Sequence, residues 1–178
     1  MDIAVDTIIP YPIDEVFSAM RDKLPEMAAF MPNVDRIEVG ARDESVPGTV
    51  KLLNTWHAAA TEIPAMARPF VDAKKMFWHD HATWTEADKL CRWRLEVGFM
   101  ADRVDCKGTT SYHDIGGGKT EMRIRGTLDL DLKGLVPKLM IGKATAGVEK
   151  FVGKLIEPNF QKTADALTAY LDDRSKEA

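Results

Sequence analysis

Apolar and polar residues alternate over residues 2–9, with Ile3, Val5, Thr7 and Ile9 on one side, and this predicts a strand. Pro10 and Pro12 end it, and Pro12 can open a helix, because its missing N–H would be unpaired there anyway. Val16, Phe17 and Met20 then give one apolar helical face; Pro25 breaks that helix, Met27, Phe30 and Met31 form a second short one, and Pro32 stops it. From there to residue 132 the period is two. Ile37 and Val39 alternate, then Val50, Leu52, Asn54 and Trp56, then residues 76–84, then Cys91, Trp93, Leu95, Val97 and Phe99.

Two hairpins follow from turn chemistry. Glu86-Ala87-Asp88-Lys89 is a turn, and centring it sets Trp84 opposite Cys91, Ala82 opposite Trp93 and Trp78 opposite Val97, so the apolar faces agree. Gly116-Gly117-Gly118 separates residues 103–114 from 119–132 and sets Tyr112 opposite Met122, Thr110 opposite Ile124, Gly108 opposite Gly126 and Cys106 opposite Leu128. The opposed glycines leave a dent in the apolar face, so either the sheet bends there or something approaches closely. The tail turns helical: Val148, Phe151, Leu155, Phe160, Ala164, Leu167 and Leu171 recur at three- and four-residue spacing. A helix from about Thr145 to Asp173, roughly 40 Å long, is predicted, kinked at Pro158. Two long connections carry unusual apolar content. Residues 58–74 include Met66 and Phe70, and residues 133–143 set Leu139 and Met140 among lysines; both are candidate lid or portal segments, or plain caps over a core edge.

Composition narrows the class. The 178 residues suffice for one domain spanning 1–178, and at 45% hydrophobic and 29% charged the chain is neither disordered nor a membrane span. The formal net charge of −4, with Arg92, Arg94, Lys107, Arg123 and Arg125 interspersed among Glu96, Asp105, Glu121, Asp129 and Asp131 on the polar sheet face, argues against nucleic acid as a partner. No basic, apolar and cleavable leader stands at the N-terminus, so the expected compartment is the cytoplasm. Cys91 and Cys106 form no C-x-x-C pair and read as small buried hydrophobes, and the triple glycine lacks the Lys-Ser/Thr of a phosphate loop. No metal and no cofactor is therefore expected. The pattern sets no oligomeric state.

The expected fold class is α+β: a curved antiparallel sheet of about six to seven strands wrapped on the long C-terminal helix, with two short helices after the first strand. One helix is only ~10–12 Å wide and cannot fill the concave side of a wide sheet. The remaining space must be plugged by large side chains or stay hollow.

This order of elements, and the stretch from Pro12 through Ile13-Asp14-Glu15-Val16-Phe17-Ser18-Ala19-Met20, resemble the START-like (SRPBCC, helix-grip) superfamily. Residues 63–84, 126–132 and 148–162 resemble an uncharacterised bacterial branch of it, from which the chain departs in its longer 133–147 stretch and in Pro158. The resemblance implies a pocket for a lipid, sterol, polyketide or other apolar small molecule between the sheet and the C-terminal helix.

Strand parity then names the candidate ligand-binding residues: Asn54, Trp56, Trp78, Asp80, Trp93, Thr110, Tyr112 and Met122 all face inward. The rings would wall a flat or greasy ligand, or simply fill the core. The polar members need partners, which a ligand, one another, backbone or water could supply. A buried Asp80 would have a raised pKa and could serve as an acid or base. His57, His79 and His81 share the outward parity and read as solvated surface histidines; a one-residue bulge would turn His79 and His81 inward instead. Three functions compete. The leading one is a non-enzymatic carrier or sensor of an apolar small molecule, with no residue assigned a catalytic role. The second is an enzyme of the polyketide cyclase or dehydratase type using a buried acid or base. The third is a module making transient contact with an anionic membrane, or a protein partner, through residues 133–143.

Overall fold

The computed structural model describes residues 1–59, 77–98, 103–131 and 160–176. Strand β1 (Asp2–Ile9) leads into helix α1 (Ile13–Asp22), the single-turn helix α2 (Leu24–Met27) and a 3-10 turn at Ala28–Phe30. Six strands follow: β2 (Val34–Asp43), β3 (Thr49–Ala58), β4 (Phe77–Thr85), β5 (Leu90–Val97), β6 (Val104–Asp114) and β7 (Thr120–Leu130). Residues 160–176 are helical and are called α3. The strands form one seven-stranded sheet in the order β1-β7-β6-β5-β4-β3-β2, antiparallel at every pairing.

Local chemistry accounts for the punctuation. Pro12 caps α1 with its carbonyl, which accepts from the Val16 N–H at 3.1 Å. Pro25 sits in the first turn of α2, where a missing N–H costs nothing. All three glycines of the β6–β7 turn have positive φ (81°, 64° and 68°), a region that a side chain disfavours. Both hairpins have the register that parity predicts: Trp84 pairs with Cys91, Ala82 with Trp93, Gly108 with Gly126 and Tyr112 with Met122. Strand β2 is less regular. Its pairing with β3 shifts between Val34 and Arg36 and again between Val39 and Arg42, which puts Arg42 opposite Leu52 at the sheet's edge.

Two contacts hold the helices to the inward face, and a third joins the helices to one another. At one end, Phe17 of α1 meets Trp84 and Tyr112 edge-on, with ring centroids 5.2 and 5.4 Å apart. In the middle, Trp93 lies over the Gly108–Gly126 pair and meets Phe160 of α3 at 5.7 Å. Further along α3, Tyr170 packs on Phe30 and donates its hydroxyl to Glu26 at 2.7 Å. Ile3 and Ile9 on one edge strand and Val34 and Ile37 on the other are all buried in one core. The predicted start of the C-terminal helix, about Thr145, and its kink at Pro158 lie outside the described residues, as do Met66, Phe70, Leu139 and Met140.

The dent predicted at the paired glycines is filled by the Trp93 indole. A Cβ on Gly108 would stand 2.5 Å from Trp93 Cζ2 and 2.8 Å from Gly126 Cα, and it would also meet the Arg125 carbonyl. Backbone lies on one side and a wedged ring on the other, so the clash has little room to relax. Gly108→Ala is therefore expected to cost about 3 kcal/mol of stability, at the upper end for overpacking. Urea denaturation measures it. A change in midpoint no larger than that of an exposed-surface substitution would show that the ring is not seated there.

Candidate functional site

The inward face divides the sequence-predicted residues into two groups. In the first, the side chains pack into the core, and Trp93 and Thr110 satisfy each other. Trp93 donates its indole N–H to Thr110 Oγ1 at 3.2 Å, and both residues are buried. Met122 is buried opposite Tyr112, whose ring is held between Phe17 and Trp84.

The second group is Asn54, Trp56, Trp78 and Asp80, on the paired strands β3 and β4. Asn54 stands opposite Asp80, and Trp56 opposite Trp78. The two indoles stack with centroids 5.6 Å apart and planes at 19°, and both are half-buried. Asn54 is 1% exposed, yet neither its Oδ1 nor its Nδ2 has a hydrogen-bond partner among the described residues. Trp56 Nε1 and Asp80 Oδ1 are likewise buried and unpartnered. Such groups are rare, because a buried donor or acceptor without a partner costs roughly 1–3 kcal/mol. Here four of these atoms share one patch of three residues.

Burial pushes the Asp80 carboxyl up to about 6; Asn54 and Trp56, which approach it as donors without reaching full hydrogen-bond geometry, and the charge of His81 only partly offset this. Two further titratable groups share this field. The Cys91 thiol on β5 is raised by burial and then by Asp80, and the Tyr112 hydroxyl on β6 by burial and then by Cys91 and Asp80. Tyr112 Oη and Trp84 Nε1 are also buried without partners among the described residues. Parity already places Trp84 inward; whether its N–H finds an acceptor is a matter of packing that no spacing reveals.

The outward face holds the histidines. Thr55 Oγ1 is 3.0 Å from His79 Nδ1, His81 lies 3.4 Å from Glu96, and His57 lies 3.6 Å from Glu38. Among the described residues no cluster of three His, Cys, Asp or Glu side chains is placed to hold a metal ion. The mixed charges on this face pair locally, as in Lys107–Asp105 at 2.6 Å and Arg123–Glu121 at 2.7 Å. No helix among the described residues is long and apolar enough to cross a membrane.

No protein family's sequence profile matches the chain, and no curated protein matches it in sequence. Solved structures match over nearly its whole length. The Zhui aromatase/cyclase of a Streptomyces species is 14% identical with a TM-score of 0.69, over 98% of this chain and 95% of that one. A START superfamily protein from Mycobacterium smegmatis is 14% identical with a TM-score of 0.56, over 97% of each chain. This chain has the helix-grip fold. Norcoclaurine synthase from Thalictrum flavum, solved with dopamine and hydroxybenzaldehyde, shares that fold at 12% identity and a TM-score of 0.62, over 97% of this chain and 87% of its own. At such identities the likeness carries the helix-grip architecture, and the chemistry must be read from this chain's own residues.

Proton linkage gives a test of Asp80. The folded carboxyl keeps its proton to about pH 6, whereas the ordinary value is 3.8. Rising pH therefore strips the unfolded chain first, and Asp80 lowers stability progressively between about pH 4 and pH 6, by about 3 kcal/mol in all. Below that window the penalty is absent; above it, the penalty is complete. Asp80→Asn removes it. The variant should gain about 3 kcal/mol relative to the unmodified protein as pH rises from 4 to 7, read from denaturation curves at each pH. Parallel pH profiles for the two proteins would show that Asp80 ionises normally in the fold.

Proposed function

We propose that the protein binds an apolar small molecule, of lipid, sterol or polyketide-like character, in a cavity between the sheet and the C-terminal helix, and carries or senses it. The observation that supports this is the patch of unpartnered buried atoms on Asn54, Trp56 and Asp80 beside a stacked indole pair. Trp84 Nε1 and Tyr112 Oη are single unpartnered atoms in the ring cluster, whereas here four such atoms adjoin on the paired strands β3 and β4. A few convergent polar groups in an apolar wall are what a small-molecule pocket needs for orientation. Trp93, Thr110, Tyr112 and Met122 would then form the packed floor, with Asn54, Trp56, Trp78 and Asp80 as the contacts.

One observation favours a second reading. A buried carboxyl held near 6, with the Tyr112 hydroxyl and Cys91 in its field, is equipped to hold or move a proton at neutral pH. That would suit a cyclase- or dehydratase-type reaction on the bound molecule. Asp80→Asn separates the two: an enzyme would lose turnover outright while still holding the apolar body, whereas a carrier has no turnover to lose.

Native mass spectrometry of freshly purified protein, followed by solvent extraction, tests the proposal directly. The expected result is a non-covalent mass adduct that extraction removes, together with binding of an apolar fluorescent probe. Absence of any adduct, with probe binding no stronger than to a control protein of similar size, would sink it.

A further inference from the structure

We propose that the molecule bound beside Asp80 carries a hydrogen-bond donor, hydroxyl or amino, at its polar end, and that the site turns away anionic amphiphiles such as fatty acids. This rests on the binding function proposed above and goes further by assigning a head-group chemistry.

The polar atoms left open on the inward face set the terms. Asp80 Oδ1 accepts, Asn54 Oδ1 accepts and Nδ2 donates, and Trp56 Nε1 donates. Asn54 and Asp80 are direct cross-strand neighbours, and Trp56 is the next inward residue on the strand of Asn54. A hydroxyl meets this set from both sides, giving its proton to Asp80 and accepting from an amide or indole N–H. An ammonium group satisfies the carboxylate and Asn54 Oδ1 together. A carboxylate can accept from the two N–H groups, but it must then sit beside Asp80. The carboxyl of Asp80, pushed up to about 6 by burial, is mostly ionised at neutral pH. A ligand carboxylate must either face that charge or drive a proton onto Asp80, which at pH 7 costs about 1.4 kcal/mol, as much as one neutral hydrogen bond returns.

An anion would need a counter-charge, and the described residues offer none there. Arg42 is the basic residue at an inward register position of the described strands, opposite Leu52, and it is held by Asp22 at 2.9 Å and by Glu44. Arg21 and Lys89, which approach the Phe17 ring, are likewise engaged. Arg21 pairs with Asp22 and Glu86 at 2.8 Å each, and Lys89 with Asp14 at 2.7 Å and with Glu86. The negative partners are already in place, so none of these cations is available to a ligand carboxylate.

A matched probe series reads this out. Naphthalene, naphthylmethanol, naphthylmethylamine, methoxymethylnaphthalene and naphthoate share one apolar body and differ in the head. Equilibrium dialysis against the full-length protein at neutral pH gives each affinity. The alcohol and the amine are expected to bind at least about tenfold tighter than naphthoate, and the ether, which accepts but cannot donate, to fall between naphthalene and the alcohol. In Asp80→Asn the advantage of the amine over naphthalene should shrink by about tenfold, with naphthalene unchanged. The ranking in the unmodified protein decides the matter even if that variant does not fold. Naphthoate equal to or tighter than the amine overturns the head-group assignment. Binding of naphthalene with no ranking among the heads overturns it too, while leaving the binding function standing. No binding of any probe defeats both.

Discussion

The seat of Trp93 on two glycines fixes where everything else on the inward face can be. An indole normally stands off a sheet by the thickness of the side chains beneath it. Gly108 and Gly126 have none, so the ring drops onto the backbone and its far side is free to receive Phe160 from α3. Its N–H is tied to Thr110, so the ring cannot swing out to meet a ligand without breaking a buried hydrogen bond. The middle of the sheet is thereby filled, and α3 gains a fixed point of contact. The two flanks then have different fates. Beside Tyr112 and Trp84, Phe17 closes the face with rings. Beside Asn54 and Asp80, four buried polar atoms lie together without partners among the described residues, against one each on Trp84 and Tyr112.

Magnitudes show why that second flank matters. Two like charges about 4 Å apart interact by about 4 kcal/mol at an effective dielectric of 20, whereas a neutral hydrogen bond nets roughly 0.5–1.5 kcal/mol. Protonating Asp80 at pH 7 costs about 1.4 kcal/mol and caps that repulsion, so a second anion is disfavoured by about tenfold while a donor to Asp80 is favoured. The arrangement also carries a cost in the free protein. An ionised Asp80 opposes folding by about 3 kcal/mol at neutral pH, a sizeable share of the 5–15 kcal/mol by which domains are stable. A leucine or valine at that position would remove the cost and complete the core. A ligand bound at Asp80 as proposed would recover part of it, which would couple binding to stability.

Much of this was legible before any coordinates, and for identifiable reasons. The turns at residues 86–89 and 116–118 leave little freedom in register, and a one-residue slip would have put Trp93 and Arg94 on the wrong faces, so pairing followed from parity. The dent at Gly108 and Gly126 was visible too, because two glycines fell opposite each other. What filled it was not visible. Trp56, Trp78, Trp84 and Trp93 share one parity, and nothing in their spacing distinguishes the ring that seats on glycine from the pair that stacks half-exposed. Likewise Thr110 and Asn54 looked equivalent, both polar and inward. Only the three-dimensional neighbourhood shows that Thr110 has an indole N–H within 3.2 Å and Asn54 has no such partner among the described residues. The shifts in β2 that carry Arg42 to an inward register position leave no mark in the alternation.

The geometry of the two ends narrows how a ligand could reach Asp80. At the Trp84 end, α1 is tied to the β4–β5 turn by Lys89–Asp14 and Arg21–Glu86, and to β2 by Arg42–Asp22. Each such pair is worth under about 1 kcal/mol when exposed, but opening that end would break all of them and also expose Phe17 against Trp84 and Tyr112. At the opposite end, Ala58, Phe77 and Val97 finish or begin their strands, and Trp56 and Trp78 remain half-exposed. Passage there disturbs no described ion pair on the inward face. The connections from β3 to β4 and from β5 to β6 depart from this same end. The first of them contains Met66 and Phe70, two of the candidate portal residues, which lie outside the described residues.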